Sequence, residues 1–121
     1  MDVYVTWEDI DRYMDLLVER LKPWHNDSCG IYAPPRGGLV LGVMLSHRLC
    51  LPMLSHAIDR CIFIDDIVDT GDTLLCATNS RCIYSMSIYY HKHSKKEPNF
   101  WIKEKTEDWI VFPWENKKRR Y

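Results

Sequence analysis

No run of apolar residues approaches the roughly 18 needed to span a bilayer, so neither a membrane-spanning helix nor a membrane partner is expected. The N-terminus, Met1-Asp2-Val3-Tyr4, lacks the basic stretch and apolar core of a secretory signal. No CxxC pair occurs, and the five cysteines (Cys29, Cys50, Cys61, Cys76 and Cys82) are odd in number. Neither a disulfide framework nor a zinc site is therefore suggested, and several of these residues sit in apolar runs where cysteine acts as a small hydrophobe. A cytoplasmic location is the expectation. An excess of either charge is also missing: 16 Lys and Arg face 17 Asp and Glu, and the formal net charge of −1 gives no electrostatic reason to expect nucleic acid. The single dense run, Lys117-Lys118-Arg119-Arg120, reads as a solvated tail. Internal repeats, low-complexity linkers and a P-loop (GxxxxGK[ST]) are all missing.

What remains is a chain of 121 residues, enough for one domain over 1–121, with an ordinary globular hydrophobic share of 46%. Thr6 can cap a helix whose first turn holds Glu8 and Asp9, and Ile10, Tyr13, Leu17 and Leu21 recur at helical spacing, predicting a helix over 7–22. Pro23 to Ser28 break it. Short strands are expected at 29–33, 52–57, 61–64 and 83–90, with another near 100–102 and a last apolar segment at 109–112. Helices are expected at 39–49 and 73–79. Strands alternating with helices imply an α/β fold with a mainly parallel sheet covered on both faces. Ligands of such sheets sit beyond the carboxyl ends of the strands, so the loops after 29–33 and 61–64 carry the most interest.

The second of these loops is chemically dense. In "CIFIDDIVDTGDTL" an apolar run ends in Asp65 and Asp66, and then come Asp69, Thr70, Gly71, Asp72 and Thr73. Carboxylates this close repel one another, so a cation or a hydroxyl-rich ligand is expected beside them. A helix starting near Thr73 presents outward N–H groups and a positive dipole end, which suits a phosphate. Gly71 allows close approach of backbone, and the hydroxyls of Thr70 and Thr73 can donate. The charge of Asp72 must then face away. Asp65 and Asp66 can grip vicinal hydroxyls or a metal, and Asp69 is placed for proton transfer. Acid pair, base and phosphate cradle fit a ribose-5-phosphate.

"IFIDDIVDTGDTL" resembles the phosphoribosyl-pyrophosphate (PRPP) signature of type I phosphoribosyltransferases. "GIYAPPRGGLVLGVMLSHRL" is similar to the pyrophosphate loop of that family, with Arg36 and Gly37 as the implied pyrophosphate contacts. The resemblance implies a cis peptide before the arginine, here Pro35–Arg36. Pro35 departs from the Ser, Lys or Thr usual at that position and removes a donor. "VTWEDIDRYMDLLVERL" and "EDWIVFPWE" resemble segments of bacterial xanthine-guanine phosphoribosyltransferase. That likeness implies purine binding by Trp109, stacked on the base, and by the backbone of Ile110, with Trp114 more a packing residue. It also places Lys92 on the 6-oxo group, although Lys95 and Lys96 are close by. His91 and His93 either line the same pocket or form a solvated strand end.

The family's fold, with a minimal hood, is therefore expected, because Leu51 to Arg60 leave no length for a substantial lid. The implied activity is transfer of ribose-5-phosphate from PRPP to a 6-oxopurine with release of pyrophosphate, in purine salvage. Mg2+ is the implied cofactor, with Asp66 as metal ligand, and a homo-oligomer is implied. A pyrimidine or other small base is a less favoured acceptor. The alternative is a non-catalytic PRPP- or nucleotide-binding regulatory module of the same fold.

Overall fold

The computed structural model describes residues 1–115, so the basic run Lys117–Arg120 lies outside the described residues. Helix α1 spans Trp7–Leu21 and opens with a capping box: the Asp9 amide donates to the Thr6 hydroxyl, and the Thr6 amide donates to the Asp9 carboxylate. Its buried stripe is Ile10, Tyr13, Met14, Leu17 and Leu21. Each such side chain stabilises the fold by about 1.5–3 kcal/mol when fully removed from water. Pro23 does not end the coil outright. The chain tightens into a 3-10 helix over Lys22–Asp27, with the proline near its start where a missing N–H costs nothing.

Five strands make one parallel sheet in the order β3-β2-β4-β5-β6: β2 is Gly30–Tyr32, β3 Met53–Leu54, β4 Cys61–Val68, β5 Tyr84–Tyr90 and β6 Phe100–Glu104. Helix α2 (Gly37–Leu49) joins β2 to β3, and α3 (Asp72–Asn79) joins β4 to β5. Over Ile62–Ile64 the side chains of β4 alternate between two cores, as a strand covered on both faces requires. Ile62 and Ile64 pack with Leu17, Leu41 and Leu45 on the α1–α2 side. Phe63 and Val68 pack with Leu74 and Ala77 on the α3 side. A separate parallel pair joins β1 (Asp2–Tyr4) to β7 (Trp109–Val111), in the register Asp2 to Trp109 and Tyr4 to Val111.

Several boundaries differ from the sequence expectation, two of them at the crevice, and one strand was not expected. β4 does not stop at Ile64. Its pairing with β2 ends at Phe63, but pairing with β5 continues to Val68–Tyr90, so the acidic pair rides on a strand bound on one side only. Helix α2 begins at Gly37 rather than Leu39, because the Gly38 amide already reaches the Pro34 carbonyl (3.1 Å). The short strand β1 carried too few residues to show a period. The expected segment at 109–112 pairs with it outside the main sheet.

Candidate active site

The chain leaves β2 toward the β3 edge and leaves β4 toward the β5 edge. The crevice beyond the carboxyl ends of β2 and β4 is therefore the point where strand order reverses, which is where ligands of open α/β sheets bind. Both loops singled out in the sequence open onto it. After β2, Pro34 and Ala33 are buried while Pro35 and Arg36 stand exposed, and the Pro35–Arg36 peptide is cis. Gly37 lies directly against the Asp66 carboxylate, so that a Cβ there would overlap it. A Cβ on Gly38 would meet the Ile64 carbonyl oxygen at 2.9 Å and Asp65 Oδ1 at 3.2 Å. The two glycines let the first loop lie on the acidic pair of the second.

The paired acids are unequal. Burial, and then the neighbouring Asp66, push the Asp65 carboxyl up to about 9, so it holds its proton at neutral pH. Its Oδ1 accepts from the Asp66 amide at 2.9 Å, and Asp66 Oδ1 accepts from the Ile67 amide at 2.8 Å. A proton on Asp65 lowers the repulsion that the sequence implied. A hard cation needs one or two carboxylates beside its phosphate ligands, so the donor set fits Mg2+ through Asp66 alone.

Asp69 closes the end of the strand and is exposed, with Oδ1 3.2 Å from His93 Nε2. The turn that follows is built as the sequence suggested. Gly71 sits at φ 88° and caps α3, and the Leu75 amide reaches its carbonyl. A Cβ on Gly71 would meet the Lys95 and Lys96 amides at 2.8 and 3.0 Å, so the segment after β5 lies across this turn. The Asp72 charge is drawn aside by Lys95, whose Nζ donates to Oδ1 at 2.6 Å. That pairing holds the Asp72 carboxyl below its ordinary range and raises the Lys95 ammonium. The Thr70 hydroxyl accepts weakly from the Asp72 amide (3.3 Å).

Two cavities meet here. One, of about 200 Å³, is lined by Asp65, Ile67, Asp69, Thr70, Gly71 and Thr73. The other, of about 230 Å³, is lined by Asp66, Ile67, Asp69, Lys105, Trp109 and Ile110, with Phe112 and Glu115 at its margin. Asp69 and Ile67 belong to both. The exposed indole of Trp109 forms one wall of the second cavity, while Ile110 is buried in β7. Trp114 stacks on Phe112 with ring centroids 4.9 Å apart and contacts Trp7, a packing role as the sequence suggested.

Lys92 is not brought to this wall. Its ammonium turns toward Glu104 on β6 (3.6 Å) and stays exposed. Lys105, at the far end of β6, supplies the cation instead, with Nζ donating to the carbonyls of Thr106 and Asp108. Lys105 is the site residue that sequence reasoning missed, and His93, which the sequence left between pocket lining and a solvated strand end, contacts Asp69. Lys105 lies in a charged, irregular stretch without periodicity. His93 reaches Asp69 only because β5 and β4 are adjacent. Among the described residues no helix is long and apolar enough to cross a membrane.

This architecture, with both loops at the switch point and a small hood of β1 and β7, defines the class: the chain has the type I phosphoribosyltransferase fold. Among solved structures it is similar to a purine phosphoribosyltransferase from Pyrococcus horikoshii, at 27% identity over 100% of this chain and 99% of the other, with a TM-score of 0.82. It is similar as well to the xanthine-guanine-hypoxanthine phosphoribosyltransferase of Helicobacter pylori (19% identity, 94% of each chain, TM-score 0.77). The adenine phosphoribosyltransferase of Leishmania tarentolae shares the fold at 17% identity over 82% of this chain and 72% of the other, with a TM-score of 0.64. No family model matches the sequence, and no curated protein does.

Proposed function

We propose that the protein transfers ribose-5-phosphate from PRPP to a 6-oxopurine, releasing pyrophosphate, as a cytoplasmic enzyme of purine salvage that works as a homo-oligomer. The observation that carries this reading is that Asp69 lines both cavities. A base held in the larger one and a ribose phosphate held in the smaller one meet at its carboxylate.

In this reading the amides of residues 70–73 and the positive end of α3 take the 5′-phosphate. Asp66 accepts from a ribose hydroxyl. Arg36 and the amide of Gly37 hold the pyrophosphate, Arg36 through its fork of donors. Mg2+, when bound through Asp66, neutralises pyrophosphate charge. The C1–O bond to pyrophosphate breaks as a purine nitrogen forms the C1–N bond. Asp69 receives the proton that the base loses, and the carboxylates of Asp66 and Asp69 stabilise the cationic sugar between those events. The Trp109 indole stacks on the purine, and the cavity of about 230 Å³ suits a flat base better than a drug-sized ligand. In this reading the Lys105 ammonium, which lines the larger cavity, donates to a 6-oxo group, an acceptor that an oxopurine offers and adenine lacks.

The test is to incubate the protein with Mg2+, PRPP and, separately, guanine, xanthine, hypoxanthine, adenine and orotate, and to assay nucleotide and pyrophosphate together. The reading expects product with at least one 6-oxopurine and less with adenine or orotate. PRPP binding with no product from any base would instead support the regulatory module.

A further inference from the structure

Asp69, His91 and His93 come together at the carboxyl ends of β4 and β5, and one ligand atom from each lies within 4.8 Å of the others. The two imidazoles are stacked, with ring centroids 3.5 Å apart and an interplanar angle of 22°. Nδ1 of His91 accepts from the His93 amide (3.2 Å), which fixes the ring against its neighbour. His93 Nε2 already contacts Asp69 Oδ1. We propose that these three side chains form a site for one divalent transition-metal ion of the zinc type, distinct from the Mg2+ position at Asp66.

The donor chemistry decides which ion. Two imidazoles and one carboxylate suit Zn2+, Cu2+ or Ni2+, whereas Mg2+ prefers oxygen donors throughout. Ligand bonds of roughly 2.0–2.1 Å at tetrahedral angles put donor atoms about 3.3 Å apart. The cluster therefore closes by side-chain rotation of an ångström or so. The side chains of His93 and Asp69 are 60% and 51% exposed, which leaves them free to make that movement and leaves a coordination position open to water. Two of the five thiols are weaker competitors. Burial raises the Cys61 thiol and pushes Cys82 up to about 11, and a protonated thiol is a poor ligand. Occupancy would tie up the Asp69 carboxylate. That consequence rests on the base role proposed above, but ion binding does not.

The experiment is a calorimetric titration of the full chain with Zn2+ in excess Mg2+, with cobalt absorption spectra in parallel. The expected result is one Zn2+ per chain, and Co2+ spectra with d–d bands but no thiolate charge-transfer band. His91→Ala and His93→Ala should each weaken binding at least about ten-fold, the double variant should abolish it, and Asp66→Asn should leave it intact. Circular dichroism checks that the variants fold. Binding that survives in the double variant, a thiolate-to-cobalt band, or the absence of binding to the wild type would overturn the proposal. None of these readouts depends on turnover, so their failure is separate from failure of the transferase reading.

Discussion

Asp65 and Asp69 lie four residues apart, yet burial holds a proton on the first while the second stands exposed. Asp65 keeps its proton in the folded chain up to about pH 9, whereas in the unfolded chain it loses it near 4. Between those values the folded state binds one more proton than the unfolded state, so stability contributed at this position falls as pH rises through the window. Asp65→Asn keeps the acceptor for the Asp66 amide and removes the titration. Urea unfolding should show the variant more stable than wild type by about 1 kcal/mol or more at pH 8, with the gap vanishing toward pH 4. A constant gap would mean that Asp65 is ionised in the fold. For Asp69, exposed at the meeting of two cavities, the argument concerns rate. Asp69→Asn should lower kcat by about 10²–10⁴-fold while the KM for PRPP changes little. Steady-state kinetics with the best purine would show this, and unchanged kcat would remove the proton-accepting role.

At the scale of elements, the site depends on two loops being in contact, and Gly37 is where they touch. Gly37→Ala would press a methyl group onto the Asp66 carboxylate. Helix propensity favours alanine over glycine by about 1 kcal/mol, which offsets part of the strain, so thermal stability should change little. PRPP affinity should fall at least about ten-fold, a cost of 1.4 kcal/mol or so, as read by calorimetry. Unaltered affinity would separate the first loop from ligand binding. The same elements show what a sequence can disclose. The strand cores, the capping box at Thr6 and the D-T-G-x-T turn follow from local patterns, and all were legible. The extension of β4 through Asp65 and Asp66 was not, because it is imposed by the partner strand β5 rather than by the residues themselves. Nor was the exchange of Lys92 for Lys105 at the base cavity, because a lysine's reach is set by where β6 ends and whether Glu104 captures its neighbour. Asp72 shows the same dependence: its charge looked unfavourable beside a phosphate until Lys95, 23 residues away in sequence, paired with it.

At the scale of the whole molecule the chain is short, and its apolar surface is uneven. Leu39 and Val43 are exposed one turn apart on α2, and Met53 on the edge strand β3 is exposed as well. The crevice between β2 and β4 carries the larger claim, that a sugar phosphate is held there by amides at one end and a carboxylate at the other. A crystal grown with Mg2+ and PRPP tests this most directly. The account predicts the 5′-phosphate on the amides of residues 70–73, the ribose hydroxyls beside Asp66, and the pyrophosphate against Arg36 and Gly37. A ligand bound elsewhere on the molecule, or a vacant crevice at a PRPP concentration that calorimetry shows to be saturating, would contradict it.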